Sequence, residues 1–148
     1  MKRMRYLSLA PIVLALLGTP HALAVENEGM QRHVAFASGG VGAASQEDLR
    51  ARERDFNLKL VFTLVEGDYV ADVNVAIRDG GGRTVLQHEA PGPLFMARLP
   101  SGNYQVTTTY ESQTHSRWVS VGQHLRTEQF RWPSNPQTDF PVPRDSRG

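Results

Sequence analysis

The feature that most constrains the fold is a run of short alternating apolar and polar stretches between Asp72 and Gly122. Turn residues interrupt this run at nearly even spacing, so that it consists of strand and turn five times over, with no room for a helix. Side chains of a β-strand point alternately to two faces, and short strands separated by frequent turns are typical of β-sandwiches. The run therefore predicts a small antiparallel β-sandwich.

We expect seven antiparallel strands in the region from Phe56 to Trp132. The first strand has apolar residues at both parities, which predicts a central strand that is covered on both faces. The other strands are expected to bury one face, and Asp79-Gly80-Gly81-Gly82 predicts a hairpin turn between two of them. The predicted strands are Leu58–Val65, Asp72–Ile77, Thr84–Glu89, Leu94–Leu99, Tyr104–Tyr110, Thr114–Val121 and Leu125–Trp132.

The N-terminal residues 1–24 have the anatomy of a secretory signal peptide. Basic residues precede the apolar run Leu7–Leu17, and Ala22-Leu23-Ala24 places small residues at the positions that signal peptidase reads. The alternative is a retained membrane anchor, but the run is shorter than the roughly 20 apolar residues that a span requires. We therefore favour cleavage after Ala24 and a periplasmic or secreted protein.

Composition narrows the possible functions of the remaining segment, residues 25–148. The whole chain has a net charge of +1, but removal of Lys2, Arg3 and Arg5 leaves 13 basic and 15 acidic residues and a net charge of −2. The basic residues are scattered, whereas a nucleic-acid binder is expected to carry a basic patch or stripe. The absence of cysteine excludes disulfides, thiolate catalysis and zinc–thiolate sites.

Two segments flank the predicted sandwich. Residues 25–55 hold a β-prone run at His33–Ala37 and a predicted short helix at Ser45–Asp55, in which Ser45 and Asp48 match the capping-box pattern. Acidic residues are expected in the first turn of that helix and arginines toward its end, which suits the helix dipole. Residues 133–148 are rich in proline and polar residues, which predicts a disordered or extended tail.

The region from Leu58 to Trp132 resembles the carboxypeptidase regulatory-like domain, a member of the prealbumin-like (transthyretin-like) β-sandwiches. The most specific element is Leu99-Pro100-Ser101-Gly102-Asn103-Tyr104, which matches the L-x-x-G-x-Y turn at the entry to the fifth strand. The resemblance implies that Leu99 and Tyr104 fill the core on either side of a glycine-dependent turn. It also implies a non-catalytic accessory or scaffold module, similar to small secreted proteobacterial proteins that carry only this domain.

The sequence carries no recognisable catalytic or metal-binding pattern. His33, His88, His115 and His124 lack the local spacing of a metal clamp, although folding brings distant strands together. The acidic cluster Glu66, Asp68, Asp72 and Asp79 has no calcium-loop pattern and is interpreted as turn capping. The serines Ser101, Ser112, Ser116 and Ser120 lie outside a nucleophile elbow. We therefore expect no enzyme, no catalytic or metal residues and no cofactor.

Trp118 is the conspicuous residue without an expected packing role. Since Val119 and Val121 mark the core parity, Trp118 is placed on the outer face, where it either binds a ligand or is covered by the N-terminal segment or the helix. We favour the alternative in which Trp118 is covered. Gln105, Thr107 and Thr109 belong to the outer face of the preceding strand and complete the candidate interaction surface.

Three functions stay open at this point. The favoured hypothesis is a non-catalytic module that contacts a protein partner through its sheet edges and the surface around Trp118. The alternative is a module that binds glycans of the cell envelope, with Trp118 stacked on a sugar ring and Gln105, Thr107 or Thr109 supplying hydrogen bonds. A metal-dependent enzyme is the third and least favoured, because it requires the histidines to converge.

Overall fold

The computed structural model describes residues 28–31 and 34–135, with side chains described from residue 34 onward. The predicted signal peptide, His33 and residues 136–148 of the predicted tail lie outside these described residues.

Nine strands in two sheets form most of the described chain. They are β1 (Glu28–Gln31), β2 (Val34–Gly39), β3 (Leu58–Leu64), β4 (Val73–Arg78), β5 (Thr84–Ala90), β6 (Leu94–Arg98), β7 (Gly102–Tyr110), β8 (Gln113–Val121) and β9 (Arg126–Trp132). One sheet has the order β1-β2-β6-β3-β9 and the other the order β5-β4-β7-β8. The all-β, sandwich-like architecture is confirmed. The expected number of seven strands is wrong, because residues 28–39 add two strands at the edge of the larger sheet.

The larger sheet is mixed rather than antiparallel. Strand β3 lies between β6 and β9, which confirms its predicted central position. It pairs antiparallel with β6 but parallel with β9, in a register that runs from Leu58↔Arg126 to Leu64↔Trp132. The expectation of a wholly antiparallel sandwich is therefore wrong. Alternation specifies which face a residue occupies but not the direction of the neighbouring strand.

The main core lies between the two sheets and contains the residues that the alternation predicts. Leu58, Leu60 and Phe62 of β3 are fully buried, as is the Val73, Val75 and Ile77 face of β4. Trp132 is also fully buried, in tilted ring contact with Phe62. Each large side chain buried in this way stabilises the fold by roughly 1.5–3 kcal/mol relative to exposure.

A second, smaller core lies on the outer face of the five-stranded sheet. The helix α1 (Ala43–Ala51) and the 3-10 turn Glu53–Asp55 connect β2 to β3 and cover this face. Leu49 is the buried residue of α1, as the sequence predicts. The buried members of this cluster are Ala37, Leu49, Phe56, Leu94 and Met96. The molecule therefore has three layers, and the helix lies against the sheet that does not contain Trp118.

The start of α1 differs from the predicted capping box. The helix begins at Ala43 after Gly42, whose φ of 83° is in the left-handed region that favours glycine. Ser45 lies inside the helix, where its Oγ accepts a hydrogen bond from the Gly40 N–H at 3.0 Å. No acidic residue lies in the first turn, whereas Arg50 lies in the last turn as expected. The capping-box prediction is wrong because Ser45 caps the preceding glycine loop instead of the helix.

The Leu99–Tyr104 turn occupies the predicted place, and Leu99 and Tyr104 are both buried in the main core. The glycine dependence expected of this turn is wrong. Gly102 avoids the left-handed region, and a Cβ there would meet only the Tyr104 ring at ordinary contact distances of 3.6–3.9 Å. The turn is instead held by Asn57. Its side chain accepts from the Leu99 N–H at 2.8 Å and donates to the Leu99 carbonyl oxygen at 2.7 Å.

Candidate binding surface

The four residues predicted as an interaction surface lie together on the outer face of the four-stranded sheet. Strands β7 and β8 pair in a register that places Gln105 opposite Trp118. Thr107 lies opposite Ser116 and Thr109 opposite Thr114 on the same face. We call this the Trp118 face. Its members are Gln105, Thr107, Thr109, Thr114, Ser116 and Trp118.

The Trp118 side chain is exposed, with 60% of its surface open to solvent. The favoured alternative, in which the helix or the N-terminal segment covers Trp118, is wrong for the described residues. The physical reason lies in the other sheet, whose outer face is apolar at Ala37, Leu94 and Met96 and so provides the surface on which α1 packs. The Trp118 face is polar apart from the indole, so it lacks an apolar surface on which the helix could pack.

Hydroxyl pairs fix the side chains beside Trp118. The hydroxyl oxygens of Thr107 and Ser116 lie 2.6 Å apart, and those of Thr109 and Thr114 lie 2.9 Å apart. Such cross-strand pairs restrict the rotamers on both strands. The face thus combines one exposed aromatic ring with ordered hydroxyl groups, which can still exchange hydrogen bonds with a ligand.

A charged cluster connects β8 to β9 across the side of the sandwich. The Arg117 guanidinium donates to the Glu128 carboxylate at 2.8 Å and lies over the Phe130 ring at 4.9 Å. Arg126 donates to the other Glu128 oxygen at 2.7 Å. Burial acts to raise the pKa of Glu128, but these hydrogen bonds and charges outweigh it, so that the pKa lies below its ordinary value.

The same side of the sandwich is also closed by Trp132. Its indole N–H donates to the Gln113 carbonyl oxygen of β8 at 3.1 Å. The His115 ring lies edge-on to the Trp132 ring, with centroids 5.3 Å apart. Arg117 and Trp132 therefore tie the two edge strands together, one from each sheet. Arg117 shares the inward-facing parity of Val119, and its side chain is 48% exposed at the side of the sandwich.

The three described histidines do not converge. His88 is on β5 and His115 on β8, at opposite edges of the four-stranded sheet. His88 packs against Phe36 with a centroid distance of 4.6 Å, and burial lowers its pKa against the opposing influence of Glu89. His124 is exposed in the connection between β8 and β9. Within residues 34–135 there is no group of three His, Cys, Asp or Glu side chains able to hold a metal ion.

Asp79 caps the hairpin turn between β4 and β5, in agreement with the predicted turn and the capping interpretation. Its carboxylate accepts hydrogen bonds from the backbone N–H groups of Arg83 at 2.9 Å and Gly81 at 3.0 Å. The Arg83 guanidinium adds a contact of 3.1 Å. These hydrogen bonds, the one from the Arg83 backbone first, lower the pKa of Asp79.

A small pocket that the sequence did not suggest opens at the end of the sandwich beside the Leu99–Tyr104 turn. Its volume is about 260 Å³. The Tyr104 hydroxyl donates to the Pro100 carbonyl oxygen at 2.6 Å, and burial, aided by the negative charge of Asp79, raises the pKa of Tyr104. The lining residues are Val34, Asp79, Arg83, Val85, Leu99, Pro100 and Tyr104. The phenol hydroxyl is thus already engaged by the turn that it stabilises.

Comparison with protein-family models finds no match to this chain, and comparison with curated proteins finds none either. Within the described part of the chain, no helix has the length and apolar character that crossing a membrane requires.

Proposed function

We propose that this chain is a non-catalytic binding module, secreted or periplasmic, that acts through contacts with another protein at the Trp118 face. The observation that carries this proposal is the 60% exposure of Trp118 on a sheet face that the described elements leave uncovered. The resemblance of Leu99–Tyr104 and its flanking strands to the carboxypeptidase regulatory-like domain supports a non-catalytic role. We also propose that the two sheets have the prealbumin-like topology that this resemblance implies.

The energetics of Trp118 favour a partner. Leaving a large aromatic side chain in water forgoes the stabilisation that its burial provides, which is roughly 1.5–3 kcal/mol for a large apolar side chain. Exposed tryptophans that anchor partners at interface centres often account for 2 kcal/mol or more of binding free energy. Neighbouring small polar side chains such as Thr107 and Ser116 allow close approach and form hydrogen bonds at the rim.

The test is site-specific crosslinking in the periplasm with a photoreactive group on the Trp118 face, for example at Gln105. We expect a discrete crosslinked partner, and we expect Trp118→Ala to reduce its yield at least tenfold. Tyr69→Ala is the matched control, because Tyr69 is 55% exposed and lies in the loop after β3. Equal yields from Trp118→Ala and the native chain would contradict the proposal.

A glycan ligand is the second candidate, and the observation that favours it is the pairing of Trp118 with Gln105 beside the Thr107–Ser116 hydroxyl pair. An indole flanked by amide and hydroxyl groups has the chemistry to stack on a sugar ring and bind its hydroxyls. Titration with peptidoglycan fragments separates the candidates by tryptophan emission. Trp132 is fully buried, so a shift on sugar binding has to arise from Trp118 and disappear in Trp118→Phe.

A further inference from the structure

The edges of the two sheets differ in how well they are protected against pairing with another chain. Natural edge strands are blocked by charged side chains, proline, bulges or short length. Strand β9 carries Arg126, Glu128 and Arg131. Strand β5 has a register irregularity with β4 at Ile77/Arg78 and ends at the proline-rich turn 91–93. These two edges therefore carry recognisable protection.

Strand β8 lacks this protection. It is nine residues long, contains neither proline nor glycine, and pairs with β7 in an unbroken register from Gly102↔Val121 to Tyr110↔Gln113. Its outer face presents only Thr114, Ser116, Trp118 and Ser120, all uncharged and all exposed. Of the edges whose side chains are described, β8 is thus the long and regular one with an uncharged outer face.

The one charge on β8 is engaged across the sandwich. An inward-pointing charge can protect an edge strand from pairing with another chain. The Arg117 guanidinium, however, already donates hydrogen bonds to the Glu128 carboxylate at 2.8 Å and to the Gln129 carbonyl oxygen at 3.3 Å. At the hairpin end, the Gln113 carbonyl oxygen already accepts from the Trp132 indole. The stretch from Thr114 to Val121 is the part of this edge left for a partner strand.

Charge on the two neighbouring edge strands selects the kind of segment that fits. Strands β8 and β9 together carry Arg117, Arg126 and Arg131 against one carboxylate, Glu128. The guanidinium side chains of Arg117 and Arg126 are 48% and 58% exposed, so each keeps donors facing solvent. Charge complementarity therefore favours an acidic partner strand.

We propose that β8 accepts an extended, acidic segment of a partner protein as an additional strand of the four-stranded sheet. This inference rests on the proposed function and specifies its partner. Backbone hydrogen bonds along 114–121 provide affinity, and alternate side chains of the segment meet Trp118 on the outer face and Arg117 on the inner one.

Hydrogen exchange of the full chain with model peptides tests the proposal. The probe is acetyl-Val-Asp-Val-Thr-Val-Asp-Val-amide. The first comparison peptide carries Lys in place of both Asp residues, and the second carries Pro in place of the central Thr. We expect the acidic peptide to slow exchange in 114–121 at least about tenfold, the Lys peptide to bind about tenfold more weakly, and the Pro peptide to give no protection.

Two variants test the charge selection. Arg126→Gln is expected to weaken the binding of the acidic peptide about threefold to tenfold. A further peptide, with Asn in place of both Asp residues, should bind this variant and the native chain with the same affinity. Arg83→Gln is the matched control, because its side chain is 83% exposed in the hairpin between β4 and β5, and it should leave all peptides unchanged.

Two results would overturn strand addition. One is that no peptide slows exchange in 114–121. The other is that the acidic peptide shifts Trp118 emission without protecting β8, which indicates binding to the face rather than the edge. Neither result affects the proposed function, which fails separately if Trp118→Ala leaves the crosslinked partner intact.

Discussion

Asn57 is a single polar residue on which the Leu99–Tyr104 turn depends. It is buried and forms hydrogen bonds to both backbone groups of Leu99, and its amide also donates to the Gly122 carbonyl oxygen at 2.9 Å. It thereby joins the entry of β3, the end of β6 and the end of β8. Buried backbone groups that lose their partners cost about 1–3 kcal/mol each.

We predict that Asn57→Ala lowers the free energy of unfolding by about 3 kcal/mol, because it leaves the Leu99 N–H and carbonyl groups without their partner. Urea denaturation measures the change. Asn74→Ala on the exposed face of β4 is the control and should change stability by less than about 0.5 kcal/mol. Equal effects of the two substitutions would contradict the role given to Asn57.

Glu128 makes stability depend on pH in a predictable direction. Its pKa is lower in the folded chain than in the unfolded chain, so its stabilisation is complete above the unfolded value of about 4.3 and is lost as the pH falls through the folded value. We expect Glu128→Gln to be less stable at pH 7 by about 1–2 kcal/mol and to lose less stability on acidification to pH 3. Urea midpoints from pH 3 to pH 7 measure both effects.

Glu47→Gln serves as the control for Glu128, because Glu47 is exposed on α1 and forms no ion pair with the β8–β9 arginines in the described structure. Its pH profile should follow that of the native chain. A Glu128→Gln profile parallel to the native one would show that Glu128 does not carry the acid sensitivity.

The positions and contacts of these residues could be predicted from the sequence to different degrees. The parity of Val119 and Val121 correctly places Trp118 outside the core, because alternation is a local property. Its exposure depends on where α1 packs, which is a tertiary outcome. No sequence pattern indicates the structural role of Asn57, because its three backbone partners lie 42 and 65 residues away in the chain. Local patterns do not encode contacts of that range.

At the scale of elements, the turn 91–93 between β5 and β6 is the most tightly constrained. A Cβ added to Gly92 would overlap the carbonyl oxygen of Gly39, the last residue of β2. Both groups are backbone, so relief requires β2 to move away from β6. The break predicted from Pro91-Gly92-Pro93 is therefore also a point of close packing between elements.

We predict that Gly92→Ala destabilises the fold by about 3 kcal/mol, because the added methyl group overpacks against backbone. Gly122→Ala is the matched control: Gly122 lies outside the left-handed region and a Cβ there meets nothing within 4 Å. It should be neutral or stabilising by up to about 1 kcal/mol. Thermal unfolding of both variants measures the difference, and a Gly92→Ala midpoint equal to that of Gly122→Ala would refute the overlap.

Among the elements, β3 to β9 were predictable, as were the β-prone run that lies in β2 from residue 34 and the existence of α1, whereas β1, the full length of β2 and the start of α1 were not. Strand β4 carries apolar alternation over its whole length and β7 carries it at Tyr104, Val106 and Tyr110. Strand β2, in contrast, contains Ala37, Ser38 and Gly39, which have weak β propensity. Strand β2 exists because its pairing with β6 and the cover of α1 bury those small residues. The helix start was misplaced because Ser45 bonds to the Gly40 loop, an interaction that the capping pattern does not distinguish.

At the scale of the whole molecule, the five-stranded sheet belongs to both cores. Its inner face packs on the four-stranded sheet and its outer face on α1, so the Trp118 face remains the outer layer without a described cover. The parallel pairing of β3 with β9 joins residues 58–64 to residues 126–132. Strand β9, the last described strand, is therefore paired with a strand that lies 68 residues earlier in the chain.

This arrangement predicts that the fold requires β9 but not the segment after it. A chain that ends at Gly122 loses Glu128, Phe130 and Trp132, all buried, and exposes one whole side of β3. We expect it to show no cooperative unfolding transition in urea. A chain that ends at Asn135 retains every described element, and its free energy of unfolding should equal that of the full chain within about 0.5 kcal/mol. A cooperative transition in the shorter chain would mean that β9 is dispensable, and a destabilised longer chain would contradict the prediction that residues 133–148 form a disordered or extended tail.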